Sequence, residues 1–115
     1  MFMKHAPRTD DGGASCAAAL AALDFLRRHG GGLCDLLGLL AEETAFDALC
    51  ELHAQSGALL PDACVVQRGL RQIHAALAAQ ETCAIDALSV RKGYCVDTSV
   101  RWYGARVSDL LGAFR

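Results

Sequence analysis

The sequence predicts an all-α protein, a compact bundle of four to five helices with a flexible N-terminal arm. Alanine, leucine and long polar residues dominate it, and these lose little side-chain freedom in a helix. Apolar residues recur three and four positions apart, whereas β-branched residues are few and never alternate. A chain of 115 residues is long enough for one domain with its own core.

The predicted arm covers residues 1–13, and residues 14–115 are expected to form a single helical domain. Two aspartates and two glycines at positions 10–13 separate the basic start of the chain from the first apolar stretch. A secretory signal peptide has its apolar stretch directly after the basic residues, so none is predicted. No run reaches the roughly 18 apolar residues that span a bilayer. We therefore expect a cytoplasmic protein that does not enter a membrane.

The first helix is expected over residues 14–29. Its last turn, 27–29, is basic, which suits the negative end of a helix dipole. Three glycines at 30–32 follow, and a glycine just past a helix end commonly supplies its cap, so a stop is predicted there. The apolar stripe of this helix consists of Cys16, Leu20, Leu23 and Leu26.

The second helical region is expected over residues 33–55. It forms one long helix, or two if Thr44 and Asp47 make a capping box that restarts the helix. The serine and glycine at 56–57 end it. Its apolar stripe consists of Leu36, Leu39, Leu40, Phe46, Leu49, Cys50 and His53.

The third helical region is expected from Pro61, because proline favours the first position of a helix. From Ala63 an apolar residue recurs at every third or fourth position, as in an antiparallel bundle. The region is one helix to about Val90, or it breaks near Thr82, and the basic pair before Gly93 ends it. This seam consists of Ala63, Val66, Leu70, Ile73, Leu77, Gln80, Ala84 and Ala87.

The last helix is expected to be capped by Asp97 or Thr98 after a short connector, 94–96. A β-hairpin across residues 97–99 is the alternative, which the absence of glycine in that turn disfavours. The apolar stripe of the helix consists of Val100, Tyr103, Val107, Leu110, Leu111 and Phe114.

The cysteines are widely spaced, and a reducing compartment disfavours disulfides between them. We expect most of them to be small, buried apolar residues. Cys50 and His53 share a helix face, however, and provide the alternative of a thiol-based or zinc-dependent site. Zinc would require two more ligands, so His74 or Cys83 would have to converge on this pair. The cysteines are Cys16, Cys34, Cys50, Cys64, Cys83 and Cys95.

No catalytic, cofactor-binding or metal-binding residue is predicted, and we expect a protein that is not an enzyme. The glycines at 30–32 lack the lysine and the preceding strand of a phosphate-binding loop. Glu42 and Glu43 face two sides of a helix, so their carboxyl groups cannot share a proton. Glu43 is less easily explained as a solvated charge, because it interrupts an apolar stripe. The net charge of −2 comes without a basic stripe, so direct nucleic-acid binding is not expected.

Residues 33–40 are apolar nearly all round, and a helix of that kind must be covered on every side. We expect a homodimer to cover it, because Leu33 and Leu37 fall on a flank away from the core stripe. The alternative is a central helix enclosed within its own monomer. Trp102, beside arginines at 101 and 106, also indicates an interface, and the alternative is a side chain half-buried over a neighbouring helix. The predicted interface residues are Leu33, Leu36, Leu37, Leu40 and Trp102.

In size, helical composition and lack of catalytic residues, the whole chain resembles the QslA-like antiactivators of Pseudomonas quorum sensing. No discrete motif carries the resemblance, so no functional residue is transferred from that family. The resemblance implies a non-catalytic regulatory protein that binds a LuxR-type transcription factor and occludes its dimerisation surface. Binding and occlusion of another protein is therefore the function expected from the sequence.

Overall fold

The computed structural model describes residues 5–58, 60–93 and 95–114, with side chains described over 15–58, 60–81, 84–93 and 95–114. This part of the chain contains five α-helices and no strand, so the all-α prediction is confirmed. None of these helices is long and apolar enough to cross a membrane. The helices are α1 (His5–Leu39), α2 (Glu43–Gln55), α3 (Ala63–Ala78), α4 (Thr82–Lys92) and α5 (Val96–Gly112).

Helix α1 is the longest helix of the described bundle. It contacts α2, α3 and α5, while α3 also packs against both α2 and α5. The predicted arm overlaps its beginning, because α1 starts at His5, and residues 1–4 lie outside the described residues. Fully buried side chains from four helices form one core: Leu26, Leu33, Leu37, Leu49, Leu52, Val66, Leu70, Ile73, Val96 and Val107.

The glycines at 30–32 do not end a helix, which corrects the stop predicted there. Helix α1 continues through them to Leu39. A glycine inside a helix costs about 1 kcal/mol relative to alanine. Three buried leucines follow within the next five residues, and burying each contributes about 1.5–3 kcal/mol. Tertiary packing of Leu33, Leu36 and Leu37 therefore outweighs the local preference of the glycines.

Helix α1 ends instead at Leu39, and the residue that takes the left-handed conformation after it is an alanine and not a glycine. The amide of Glu42 donates to the Leu37 carbonyl (3.1 Å), and the amide of Ala41 donates to the Gly38 carbonyl (3.2 Å). This pair of bonds is the Schellman motif, and Ala41 takes its left-handed position with φ 58°. Helix α2 then begins at Glu43 with Glu42 as its N-cap, so the region is divided, which is one of the two alternatives left open, and the capping box predicted at Thr44 is wrong.

Helix α3 is capped by Asp62, whose carboxylate accepts from the amides of Cys64 (2.9 Å) and Val65 (3.3 Å). Pro61 therefore lies just before the cap and not at the first helical position. The apolar seam is buried as predicted from Val66 to Leu77. The seam stops there, because α3 ends at Ala78 and a new helix, α4, begins at Thr82. The alanines at 84 and 87 are exposed.

Helix α4 ends as predicted, with a basic last turn and Gly93 in the left-handed conformation at φ 78°. Helix α5 begins at Val96 with Cys95 as its N-cap, so neither the predicted cap at 97–98 nor the alternative hairpin is present. Tyr94 of the predicted connector lies outside the described residues. The stripe of α5 faces the core, with Val100 and Val107 buried. Four members are partly buried: Tyr103, Leu110, Leu111 and Phe114.

Candidate functional site

The leucines predicted as interface anchors belong to the core of the monomer. Leu33 and Leu37 have no exposed surface, and Leu36 is 5% exposed. Leu40 is partly buried and packs against the same core. The flank assigned to Leu33 and Leu37 is therefore wrong, because α2, α3 and α5 pack on α1 within one chain. Leu33, Leu36 and Leu37 are thus enclosed by their own monomer.

Trp102 differs from them, because 41% of its surface remains exposed. It lies on α5 beside α1 and forms part of a continuous aromatic cluster on the outside of the bundle. We call this cluster the Trp102 surface, and it consists of Phe25, His29, Trp102, Tyr103 and Arg106.

The Trp102 surface is held by ring contacts between two helices. The Trp102 ring stacks on Phe25 (centroids 6.1 Å apart) and stands edge-on to His29 (5.2 Å). It also stands edge-on to Tyr103, at 5.0 Å, and the Arg106 guanidinium lies over it at 5.7 Å. Phe25 and His29 are one helical turn apart on α1 and contact each other at 4.8 Å. The indole is thus fixed on several sides while its outer face meets solvent.

Close approach of α5 to α1 at Tyr103 depends on one glycine of α1, Gly32. The Tyr103 hydroxyl lies where a Cβ atom on residue 32 would stand, so Gly32 makes room for the phenol. Burial raises the pKa of Tyr103, and the negative charge of Asp35 raises it further. Tyr103 therefore stays protonated and neutral beneath the tryptophan at physiological pH.

Paired charges of both signs flank Trp102 along α5. The Arg101 guanidinium lies 2.9 Å from Asp97, and that of Arg106 lies 3.5 Å from Asp109. Pairs this exposed contribute little to stability. On α1, Arg27 and Arg28 both pair with Asp24, but Asp24 and Arg27 line a pocket with Ser56, Ala58 and Pro61 and are not part of the Trp102 surface.

The cysteines are more exposed than the sequence predicts. Among those whose side chains are described, Cys16 and Cys34 are partly buried, and Cys50, Cys64 and Cys95 are exposed. The expectation of mostly buried cysteines is therefore wrong for these five, and the side chain of Cys83 lies outside the described residues. The sequence gives no means of distinguishing a buried cysteine from one on the outer face of an alanine-rich helix.

Cys50 and His53 do not lie on the buried face of α2 that their spacing predicted, because both are exposed. The His53 imidazole instead lies against the backbone of Gly30. Its Cε1 and Nε2 atoms are each 3.0 Å from the position that a Cβ atom on residue 30 would occupy. Over the described part of the chain, no three histidine, cysteine or acidic side chains converge as metal ligands.

Cys95 has a distinct environment at the N-cap of α5. The Thr98 hydroxyl donates to its sulfur over 3.1 Å. This bond, and a further one from the Thr98 backbone, lower the pKa of Cys95, while burial and the charge of Asp97 oppose the shift. Cys95 is therefore the described thiol with the clearest structural reason for being reactive.

Glu43, which interrupts an apolar stripe in the sequence, is exposed at the start of α2. It lines a shallow pocket at the α1–α2 turn together with Glu42, Phe46 and Asp47. Glu42 is tied across the bundle, because its carboxylate accepts from the Gln80 side chain over 2.8 Å. Glu42 thus has a structural role at this turn.

Sequence reasoning identified Trp102 and Arg106 but missed Phe25, His29 and Tyr103 as their neighbours. The spacing of Phe25 and His29, four residues apart on one helix, was the available signal. This spacing alone does not predict the cluster, because a first helix that stops at residue 30 leaves the packing of α1 against α5 unpredicted. Comparison with protein-family models, with curated proteins and with solved structures finds no match to this chain.

Proposed function

We propose that this protein is a non-catalytic regulatory protein that binds another protein and occludes it. The observation that carries the proposal is the Trp102 surface. A tryptophan that is 41% exposed, packed against aromatic neighbours and flanked along its own helix by paired charges has the composition of an interface centre. Leu33, Leu36 and Leu37 have no part in this contact.

The rigidity of the cluster favours binding. Ordering a mobile side chain costs about 0.5–1.5 kcal/mol when two proteins associate. The Trp102 ring already contacts Phe25, His29 and Tyr103 in the free protein, so little of this cost remains. The Arg106 guanidinium over the ring adds a cationic group at the edge of the same contact.

The resemblance to QslA-like antiactivators supports one class of partner, a LuxR-type transcription factor. On this proposal the protein covers a surface that the factor needs for its own dimerisation, and it acts without contacting nucleic acid. A helical bundle without a membrane-spanning helix among its described residues is compatible with such a role in the cytoplasm. The proposal also retains a homodimer, with a contact other than the one predicted from the leucines.

A second candidate function is thiol chemistry at Cys95. The hydrogen bond from Thr98 and the exposure of the sulfur favour it over the Cys50 and His53 pair considered from the sequence. Zinc binding has weaker support, because the described histidine, cysteine and acidic residues form no cluster of three.

The binding proposal is tested by capture and calorimetry. The purified protein is used to capture partners, including a LuxR-type factor, and the affinity of each is measured by titration calorimetry. We expect Trp102→Ala to weaken binding at least tenfold, about 1.4 kcal/mol, with unchanged helicity. Leu60→Ala is the matched control, because Leu60 is also a large apolar side chain and is 83% exposed.

Equal affinity of the wild type and Trp102→Ala for a captured partner would place the contact elsewhere. If no protein binds to the wild type while elemental analysis or thiol titration reveals a metal or an activated thiol, the second candidate replaces the first. Where Trp102→Ala does weaken binding, Arg106→Ala and His29→Ala separate the contributions of these two neighbouring side chains from that of the indole.

A further inference from the structure

Helix α5 has one face in the core and, opposite it, one exposed face. Val96, Val100 and Val107 are buried on the first. The opposite face is exposed along the helix from the first turn to the last. It consists of Thr98, Arg101, Trp102, Ala105, Ser108 and Asp109.

Two opposite charges are placed symmetrically on this face. The side chains of Arg101 and Asp109 are 80% and 75% exposed. They are eight residues apart, and Ala105 is midway between them. At 1.5 Å per residue, each charge lies about 6 Å along the axis from Ala105, one on either side.

We infer that this face binds a second copy of the chain, with the two α5 helices antiparallel and a two-fold axis at Ala105. This arrangement places Arg101 of each copy at the same height as Asp109 of the other, so two ion pairs form between the chains. A parallel pair in register would instead place like charges together. The isologous symmetry of the contact therefore follows from the order of charges along one helix.

The side chains around the proposed axis are small enough for close contact. Ala105 lies on the axis, and next to it the Cβ position of Gly104 has open space around it. In this register Trp102 lies at the height of Ser108 in the other copy, since each is three residues from the axis. Pairing thus covers the exposed part of the indole and places a small residue opposite a large one.

This inference deepens the proposed function and rests on the homodimer that it retains: it assigns the contact between the two copies, and it can be measured with no other protein present. It also links to that function. The dimer covers Trp102, so a chain in the dimer cannot offer the same side chain to a partner. Self-association and partner binding are then mutually exclusive.

The test is a charge exchange followed by sedimentation equilibrium. We expect the wild type to have twice the 12.2 kDa chain mass at tens of micromolar concentration. Arg101→Asp and Asp109→Arg should each raise the dimer dissociation constant more than tenfold, since each places like charges opposite one another. The double variant restores opposite charges, and its constant should return to within about threefold of the wild type. Arg68→Asp is the matched control, an exposed arginine whose neighbouring carboxylate, Glu51, is on α2.

A second measurement is included in case a charge variant does not fold, because Arg101 and Asp109 each form an ion pair with another residue of their own helix. Ala105→Cys keeps both charges and should give a disulfide-linked dimer on mild oxidation. Peptide mapping then identifies the link and distinguishes it from links through the exposed native cysteines. A wild type that stays monomeric to millimolar concentration overturns the inference. So does a dimer that neither responds to the charge exchange nor cross-links at position 105.

Discussion

The phenol of Tyr103 lies against the backbone of Gly32, in the space that a side chain on residue 32 would fill. Gly32 is therefore a packing position between α1 and α5, whereas its neighbour Gly31 has open space around its Cβ position. Two adjacent glycines in one helix thus have opposite consequences for substitution.

We expect Gly32→Ala to lower the free energy of unfolding by about 1–2 kcal/mol, because Tyr103 must move away from α1. Gly31→Ala should raise it by about 0.5–1 kcal/mol, since alanine favours the helix and meets no neighbour. Urea denaturation of both variants measures the difference. Equal stabilisation by both substitutions would show that Tyr103 moves away from α1 without any loss in the free energy of unfolding.

The end of α1 gives a second stability prediction. Ala41 has φ 58°, a conformation that glycine adopts without the steric cost of a Cβ atom. Ala41→Gly should therefore stabilise the protein by about 0.5–1 kcal/mol. Ala54→Gly, at an exposed position inside α2, is the control and should destabilise it by a similar amount. A loss of stability in both variants would show that the left-handed turn at 41 is not retained in solution.

The thiols should differ in their pH dependence. Hydrogen bonds from Thr98 lower the pKa of Cys95, so its thiolate forms at lower pH than an ordinary cysteine. Alkylation by iodoacetamide below pH 7.5 should be several-fold faster at Cys95 than at Cys50 or Cys64, which are also exposed. Thr98→Val removes the hydroxyl and should bring the rate at Cys95 close to the other two. Mass spectrometry of labelled peptides measures each rate, and no change in Thr98→Val would contradict the assigned cause.

Helix α4 should open more readily than the rest of the bundle. Among the residues that the structure describes, α4 contacts no helix but α5. Within residues 84–92, Ile85 is the one buried side chain. An isolated helix of this length is marginal in water, so little besides that contact holds it. Amides of 86–92 should exchange with deuterium at least tenfold faster than those of α3. Protection equal to that of α3 would show that α4 unfolds only with the whole domain.

The sequence predicted most of the helices because their apolar spacing coincides with burial. The seam from Val66 to Leu77 and the stripe through Val100 and Val107 show this directly. It failed where local preference and tertiary packing disagree. Glycines at 30–32 indicate a stop, yet leucines beyond them are buried and hold the helix. Ala41 ends a helix without any local signal, because the turn is fixed by the elements on either side.

The candidate site was predicted only in part, for a related reason. Trp102 falls off the apolar stripe of its own helix, and that position in the sequence indicated either an interface or a ring half-buried over a neighbouring helix. Its contacts with Phe25 and His29 join residues more than seventy positions apart, and no spacing rule reaches that far. The leucine anchors failed because covering by α2, α3 and α5 depends on the three-dimensional order of the helices.

Trp102 is the sole tryptophan of the chain, and it lies in contact with His29 and Arg106. Near-ultraviolet emission excited at the indole band therefore comes from a single place in the molecule. A wavelength shift or a change in quenching by iodide reports what happens at that place and is insensitive to events on the far side of the bundle. The protein thus contains an optical probe of its own candidate surface, and binding can be followed there without attaching a label.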